Sequence, residues 1–519
     1  MMKIVLTRFP WWGWRLFLAG LLGTNGLGVG IWPALGQPGE PASAANSALL
    51  AAWEAELTAA IAKCEKSVVA IARVDPQPAP ARAPNLANGA NPQQPLLLRA
   101  LDDPDSPDFR PDLFATGIVV DKNGLILTNY HVVGLNSQHW VTTPDRRRYR
   151  ATIKGADPRS DLAVLEIAAT DLTPMPLGDG NALKKGQFAI ALGNPYAIAE
   201  DGSASAAWGL IANLGRKIPV DQTQPQAGRD KLYHYGMLVQ TDAKLNLGTS
   251  GGALINLRGE MIGLTTAQAA LSGYEQAAGY ALPVNETFRR VVETLKAGRE
   301  VEYGFLGVKP ENLTQAERQN LPGDLGQGGV RIAEVVPGTP AERAGVRAGD
   351  LLTHIDQQLL RDTDDLVLRM GQFPIETKLP VRLVRNQRPL ALAVELTKYP
   401  VKGEKIITTP PALWRGMGID FATALPDDFE RVNRLPLFRG GGVAVLHVTP
   451  GSPAATAGLQ SGMFITAVGE QPIASPREFR AAVAELSGPV QLQTITPAGA
   501  NTQLEPRTVM EGEAPPDAR

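Results

Sequence analysis

A long internal repeat constrains this chain more than any other feature. The segment VVPGTPAERAGVRAGDLLT, Val335 to Thr353, aligns without gaps to VTPGSPAATAGLQSGMFIT, Val448 to Thr466. Pro337, Gly338, Pro340, Ala341, Ala344, Gly345 and Gly349 all recur 113 residues later, whereas Asp350 becomes Met463. Two copies at that distance exclude a solenoid of short stacked units and predict two tandem domains of about a hundred residues each. In a chain of 519 residues this leaves room for a larger domain ahead of the repeat.

The larger domain reads as β-rich. From Phe114 to Ile167 the runs TGIVVD, GLILTNYHVV, RRYRATIKGA and DLAVLEI alternate with turn residues. Such closely spaced short strands predict a barrel or sandwich rather than a doubly wound sheet. The run NETFRRVVETLKAG then sets Phe288, Val291, Val292 and Leu295 on one helical face, with Asn285 as its cap, and closes the domain. Upstream, Ser47 to Glu65 reads as a helix. It contains Cys64, the only cysteine, which rules out an internal disulfide and fits a small buried residue. Gln77 to Pro95 is a Pro/Asn/Ala-rich loop. At the N-terminus Lys3, Arg8 and Arg15 precede the uncharged run Leu16 to Gly36, with small residues at Ala34, Gly36 and Ala42-Ser43-Ala44. This pattern predicts an export signal over 1–36, or an anchor if the segment is not cleaved. A formal net charge of −2 gives no reason to expect a nucleic-acid partner, and no His, Cys or Glu spacing predicts a metal or a cofactor.

One stretch carries the chemistry. In QTDAKLNLGTSGGALIN, Gln240 to Asn256, the glycines Gly248, Gly251 and Gly252 crowd Ser250, so the backbone can turn tightly and a substrate can come close. A serine becomes a nucleophile only with a base in reach and an acid to orient the base. Upstream, His131 and His139 lie near strand-like sequence, and His131 ends the apolar run LILTNYHVV. Two acids compete for the third role: Asp157, within the turn GADPRS, and Asp161, which opens DLAVLEI. The order His, Asp, Ser along the chain is that of the chymotrypsin-type arrangement.

These motifs carry a resemblance. TNYHVV, DPRSDLAVLEI, ALGNPY, QTDAKLNLGTSGGALIN and GYALPVN follow one another in the order seen in the HtrA/Deg family of trypsin-like serine proteases. The similarity runs from about Ser67 to Gly298, and the repeat behind it resembles that family's PDZ domains. The resemblance implies a mostly β fold, a chymotrypsin-like double β-barrel followed by two PDZ domains of small α+β type. The domains are then expected at 47–298, 301–398 and 409–510, with a disordered tail over 511–519 and YPVKGEKIITTPPAL as a linker between the PDZ domains. It also implies His131, Asp161 and Ser250 as the triad, because the matching acid directly precedes the LAVL strand. By the same resemblance Gly248, Thr249 and Ser250 are the expected oxyanion loop. Three residues depart from the family pattern: Thr249 stands where Asn is usual, Ala253 where Pro is usual, and Tyr130 where Asn is usual. Lys217 to Tyr235 reads as a loop insertion.

Specificity and partners follow in part. Enzymes of this type that cut after basic residues carry an acid six positions before the serine, and here that position is Lys244. GLTTAQAA resembles the family's pocket wall, which places Thr265, Thr266 and Ala267 around a small apolar pocket for Val, Ile, Leu or Ala. PDZ domains take peptide C-termini as an added strand. Phe305, Leu306, Gly307 and Val308 are the expected lining in the first copy, and Met417, Gly418 and Ile419 in the second. The expected activity is an exported endopeptidase of the periplasm or cell envelope that degrades unfolded or mislocalised proteins, in trimer-based assemblies by resemblance. The alternative is a non-proteolytic chaperone or PDZ scaffold with a lapsed protease domain.

Overall fold

The computed structural model describes residues 44–75, 111–134, 136–194, 202–216, 237–246, 248–266, 279–319, 328–401, 403–435, 438, 441–497 and 504–512. The export segment, the Gln77–Pro95 loop, Ala267 and the 217–235 insertion lie outside these residues, as does most of the 511–519 tail. The chain divides into two compact units, Met1–Glu54 and Ala55–Arg519. In the first, the described residues are the opening turns of a helix, Ala44–Cys64, with Leu49 and Leu50 exposed.

Two barrels form the front of the second unit. Strands β1 (Val68–Val74), β2 (Leu113–Asp121), β3 (Leu125–Asn129), β4 (Gln138–Thr142), β5 (Arg148–Asp157) and β6 (Leu162–Ile167) follow the order β5-β4-β1-β2-β3-β6, and β5 pairs with β6 to close the ring. Strands β7 (Phe188–Gly193), β8 (Ser205–Arg216), β9 (Leu238–Thr241), β10 (Ala253–Ile255), β11 (Met261–Thr266) and β12 (Gly279–Pro283) close a second barrel. Val, Ile and Leu dominate these strands because branched side chains suit a pleated, buried surface. A cluster from both barrels (Ile118, Leu127 and Leu162 with Ile190, Leu192 and Ile255) fills the space between them. The helix Glu286–Lys296 seals this seam with Phe288, Val291, Val292 and Leu295, and the Asn285 side chain caps it by accepting from the Phe288 N–H at 2.9 Å. Cys64 lies in the same cluster, and burial pushes its thiol up to about 11, which keeps it unreactive.

Behind the barrels two sheets share one strand order. The first runs Val308–Asn312, Val330–Val335, Leu351–Ile355, Lys378–Arg385, Arg388–Glu395. The second runs Met417–Phe421, Val443–Val448, Phe464–Val468, Val490–Ile495, Leu504–Val509. Each carries a helix of eight residues, Thr363–Met370 and Pro476–Val483, opened by the side-chain caps Asp362 and Ser475.

The stretch between these sheets departs from the linker expectation. Ile406–Ile407 forms a strand that pairs antiparallel with β5, Ile406 opposite Ala156 and Ile407 opposite Gly155. A buried ion cluster ties the same region together. The Nζ of Lys398 lies 2.5 Å from Asp420, 2.9 Å from Glu300 and 3.5 Å from Glu302, and Lys405 reaches Glu300 at 2.5 Å. Burial works to discharge Lys398, but Asp420 and Glu300 outweigh it and hold its pKa above the ordinary value. Three segments far apart in sequence thus meet on one ammonium.

His139, on β4, is buried, and its Nε2 has no partner among the described residues. Burial first, and Arg73 second, hold its imidazole down at about 4. An unfolded histidine titrates near 6.5, so between about 6.5 and 4 the unfolded chain binds the extra proton and the folded chain does not. Stability is therefore lost as pH falls through that window, by on the order of 3 kcal/mol at its lower end. Thermal unfolding of His139→Gln across this range is expected to show a flatter acid limb than the wild type; parallel curves would rule this contribution out.

Candidate active site

The candidate residues lie on turns of both barrels, and the glycine-rich turn of the second is bonded to β2 of the first through Thr116. His131 stands in the 3-10 turn Tyr130–Val132 that directly follows β3, two residues past the end of the strand that the sequence places it on. Asp161 ends the turn between β5 and β6. Its carboxylate is only 3% exposed and receives the imidazole Nδ1 at 2.9 Å and 3.0 Å from its two oxygens. The His131 main-chain N–H donates to the same carboxylate at 3.0 Å. The Asp161 carbonyl in turn accepts from the Tyr130 N–H at 2.9 Å and from Asn129 Nδ2 at 3.2 Å. Asp161 has φ +55°, an uncommon region that aspartate enters more readily than most residues. Buried and bonded in this way, the carboxylate accepts from the Nδ1–H and so fixes the tautomer in which Nε2 is the unprotonated nitrogen.

Asp157 does different work. It is buried, and its Oδ2 accepts from the Ser160 N–H at 2.8 Å, from the Ser160 hydroxyl at 2.6 Å and from the Tyr303 hydroxyl. It closes the turn that presents Asp161. His139 lies in register between Arg73 and Ala151 on the β4 ladder, neutral and enclosed.

Ser250 sits between Thr249 and Gly251 in a turn ahead of β10. Gly251 has φ +80°, and a Cβ there would fall 2.2 Å from the Thr116 carbonyl, so only glycine fits. The Thr249 N–H and hydroxyl both donate to the Asn246 carbonyl, at 3.1 Å and 2.6 Å. That N–H is thereby committed to the loop itself. Strand β11 braces the turn. Gly251 N–H donates to Thr265 O, Thr265 N–H to Gly252 O, and the Thr265 hydroxyl to Thr249 O at 2.6 Å. Thr266 is buried, with its hydroxyl unpartnered among the described residues, and Lys244 is exposed.

Thr116 escaped the sequence reading. From β2 its hydroxyl donates to the Gly248 carbonyl at 2.7 Å and accepts from the Asn194 N–H at 2.8 Å, so the first barrel holds the serine loop of the second. No motif marks it; only the pairing of the barrels brings it there.

In the first repeat domain Gly307 has φ +83° with its Cβ direction 2.2 Å from Thr339, and Leu306 is buried. The Leu306 and Gly307 carbonyls accept from the Ala341 and Val336 N–H groups at 2.9 Å each. In the second, Arg415 and Gly416 accept from Ala454 and Thr449, the repeat partners of those donors. The loop equivalent to Phe305–Val308 is therefore Trp414-Arg415-Gly416-Met417, and Gly418 and Ile419 lie further along the strand. Trp414 packs edge-on against Phe479 at 5.3 Å, and Phe305 against Tyr399 at 5.8 Å.

Comparison with known proteins agrees with this architecture. The trypsin-like peptidase domain family matches residues 115–264, and the PDZ domain family matches residues 331–370. Over 396 residues the chain is 31% identical to the periplasmic pH-dependent serine endoprotease DegQ of Escherichia coli, an alignment covering 76% of this chain and 80% of DegQ. The chain belongs to the HtrA/Deg family of serine proteases. The periplasmic serine endoprotease DegP of Salmonella typhimurium is 30% identical over 371 residues, 70% of each chain. Among solved structures, an HtrA-type protease AlgW with a tripeptide matches at a TM-score of 0.50 and 25% identity, over 66% of this chain and 97% of that one. This HtrA/Deg protease is thus a serine endopeptidase with a chymotrypsin-like double barrel and PDZ domains behind it. Among its described residues no helix is long and apolar enough to cross a membrane.

Thr116→Val keeps the shape of the side chain but strips the Gly248 carbonyl and the Asn194 N–H of their shared partner. The expected result is a loss of about 2 kcal/mol in thermal stability and a kcat lower by roughly tenfold or more on a chromogenic peptide. Wild-type kcat in this variant would separate Thr116 from the oxyanion loop.

Proposed function

We propose that this protease cleaves peptide bonds with Ser250 as nucleophile, His131 as general base and Asp161 as the orienting carboxylate. The observation that carries the reading is the His131–Asp161 pair, in which a buried acid holds Nδ1 at 2.9 Å and leaves the far nitrogen for a serine hydroxyl. The Ser250 oxygen attacks the scissile carbonyl as its proton passes to His131 Nε2. The imidazolium then protonates the leaving amine, and water repeats the sequence to release the acyl group. The N–H groups of Gly248 and Ser250 receive the oxyanion, each such donor being worth about 3 kcal/mol in the transition state. Asp161 holds the imidazole in place and stabilises its charged form.

The domain reading that accompanies this is an export segment over 1–36, a protease domain over 47–298, PDZ domains over 301–398 and 409–510, and a tail over 511–519. The substrates are unfolded or mislocalised proteins of the periplasm or cell envelope. The periplasmic relatives support that compartment, and a trimer-based assembly follows from the resemblance. Thr265, Thr266 and Ala267 would line the pocket for a small aliphatic side chain, with Lys244 in place of an acid.

In purified full-length enzyme, Ser250→Ala and His131→Ala are expected to abolish casein cleavage and Ser250→Ala to abolish labelling by a fluorophosphonate probe, while Asp161→Asn lowers kcat by roughly 10³-fold or more. Cut sites read by mass spectrometry should follow Val, Ile, Leu or Ala. Casein cleavage retained by either alanine variant would sink the triad, and a preference for Lys or Arg would sink the pocket.

The first PDZ domain is the regulatory site in this reading. A peptide C-terminus adds beside Val308–Asn312, with its carboxylate at the N–H groups of Leu306, Gly307 and Val308. Such a peptide activates only to the extent that it binds the competent state more tightly. Peptides ending in Val or Phe should raise turnover of a small chromogenic substrate, and amidated versions should not. Equal activation by both forms would show that the carboxylate is not what the enzyme reads.

A further inference from the structure

The connector between the two repeat domains touches the catalytic barrel at the turn that carries the acid and base. Ile406 and Ile407 lie against Ala156 and Gly155, the residues just ahead of Asp157, and Ile406 packs against the first-barrel core. Gly403 has φ +99°, and a Cβ there would fall 3.1 Å from Pro158. On the far side of the same turn, Tyr130 donates its main-chain N–H to the Asp161 carbonyl at 2.9 Å and its hydroxyl to the Glu404 carbonyl at 2.9 Å. One residue, adjacent to His131, is therefore bonded at once to the catalytic acid and to the connector. This is the tyrosine that stands where the family usually has Asn. Burial, then the charges of Glu404, Asp157 and Asp161, push its phenol up, so it remains a donor.

Both ends of the connector are anchored. At one end Lys398 and Lys405 bind Glu300. At the other, the Thr408 hydroxyl donates to the Lys154 carbonyl at 2.7 Å, and the N–H groups of Thr408 and Thr409 donate to Gly298 O at 3.0 Å and 2.9 Å. The opposite flank of the turn is braced too. Arg159 lies over the rings of Tyr399 at 3.9 Å and Tyr303 at 4.7 Å, while the Tyr303 hydroxyl bonds to Asp157.

We infer that the connector Gly403–Ile407 is a positioning strap for the catalytic acid–base pair, and that Tyr130 is the positioning residue through which it acts. Asp161 holds a left-handed backbone that persists only where the surroundings over-determine it. The strap supplies that constraint from outside the barrel, on the edge of β5 and on the turn next to His131. With it seated, Asp161 and His131 are already in bonding geometry, so it maintains the competent arrangement. Because the strap joins the two repeat domains, a shift of either one that lifts it from β5 loosens Asp161 and lowers turnover without touching the substrate cleft.

The inference rests on the triad reading, and its test has a readout independent of activity. Two full-length variants are needed: Tyr130→Phe, and replacement of residues 403–407 by a glycine-serine segment of equal length. The replacement is expected to lower kcat on a small chromogenic peptide by about tenfold, the weight of one or two lost hydrogen bonds, with KM within about twofold. The acid limb of its pH–rate profile should move to lower pH, because a looser Asp161 stabilises the imidazolium less. Tyr130→Phe should shift kcat in the same direction by about threefold, and the combination should lose no more than the replacement alone. Hydrogen exchange at the Tyr130 and His131 amides, both donated to Asp161, should quicken in the two variants. Unchanged exchange, additive losses, or a lowered Tm with kcat and pH profile intact would overturn the strap. If the replacement fails to fold, Tyr130→Phe decides alone. A Ser250→Ala enzyme that still cleaves would instead condemn the triad, and the exchange measurement would stand apart from it.

Discussion

Asp161 combines a buried carboxylate with a left-handed backbone, and neither condition holds without support from its neighbours. An ionised acid taken out of water needs partners for its charge, and here His131 supplies them through its ring and its main chain. The backbone conformation is disfavoured by a kcal/mol or more, and bonds from Tyr130 and Asn129 to the Asp161 carbonyl oppose that tendency. Those bonds require β3 to end where it does, and the approach from β5 requires Asp157 to close the turn. Much of the first barrel can thus be understood as the frame that keeps one carboxylate at one distance from one imidazole.

The frame is joined to the second barrel by small polar links rather than by the apolar seam alone. Thr116 fastens the Gly248 carbonyl, its own carbonyl accepts from Thr128, and its N–H donates to the Ser250 carbonyl. An apolar interface resists separation but allows sliding, whereas hydrogen bonds to main-chain groups fix register. The serine turn and the His131 turn belong to separate barrels, so their mutual placement depends on such links.

How much of this was legible in the sequence follows from how local each signal is. The serine turn was visible because glycine is required where φ is +80° at Gly251, and the helix over Glu286–Lys296 because its apolar face and Asn285 cap lie within three turns. The two acids of the β5–β6 turn were locally indistinguishable, since either aspartate suits a turn; their division of labour depends on His131 and Tyr303, remote in sequence. The strand Ile406–Ile407 reads as linker in the sequence because two residues show no period, and its partner edge lies some 250 positions upstream. In the second repeat the sequence points two residues past the loop equivalent to Phe305–Val308, because Met417-Gly418-Ile419 imitates Leu306-Gly307-Val308. The carbonyl bonds to Thr449 and Ala454 set the register, and no side-chain pattern reports them.

The ion cluster on Lys398 bears on how the chain comes to life. Glu300 and Glu302 emerge from synthesis directly behind the barrels, but the ammonium that neutralises them follows about a hundred residues later, and Asp420 later still. Until then the newly made barrels carry two acids bound for a buried site with no countercharge, an open edge on β5 and a tyrosine hydroxyl without Glu404. A nascent chain in that condition lacks the contacts that brace the turn carrying Asp161. The order of the domains therefore acts as a timer. The barrels are assembled first and braced last: only when the connector has been made can Tyr130 bond to the Glu404 carbonyl and Ile406–Ile407 pair with β5.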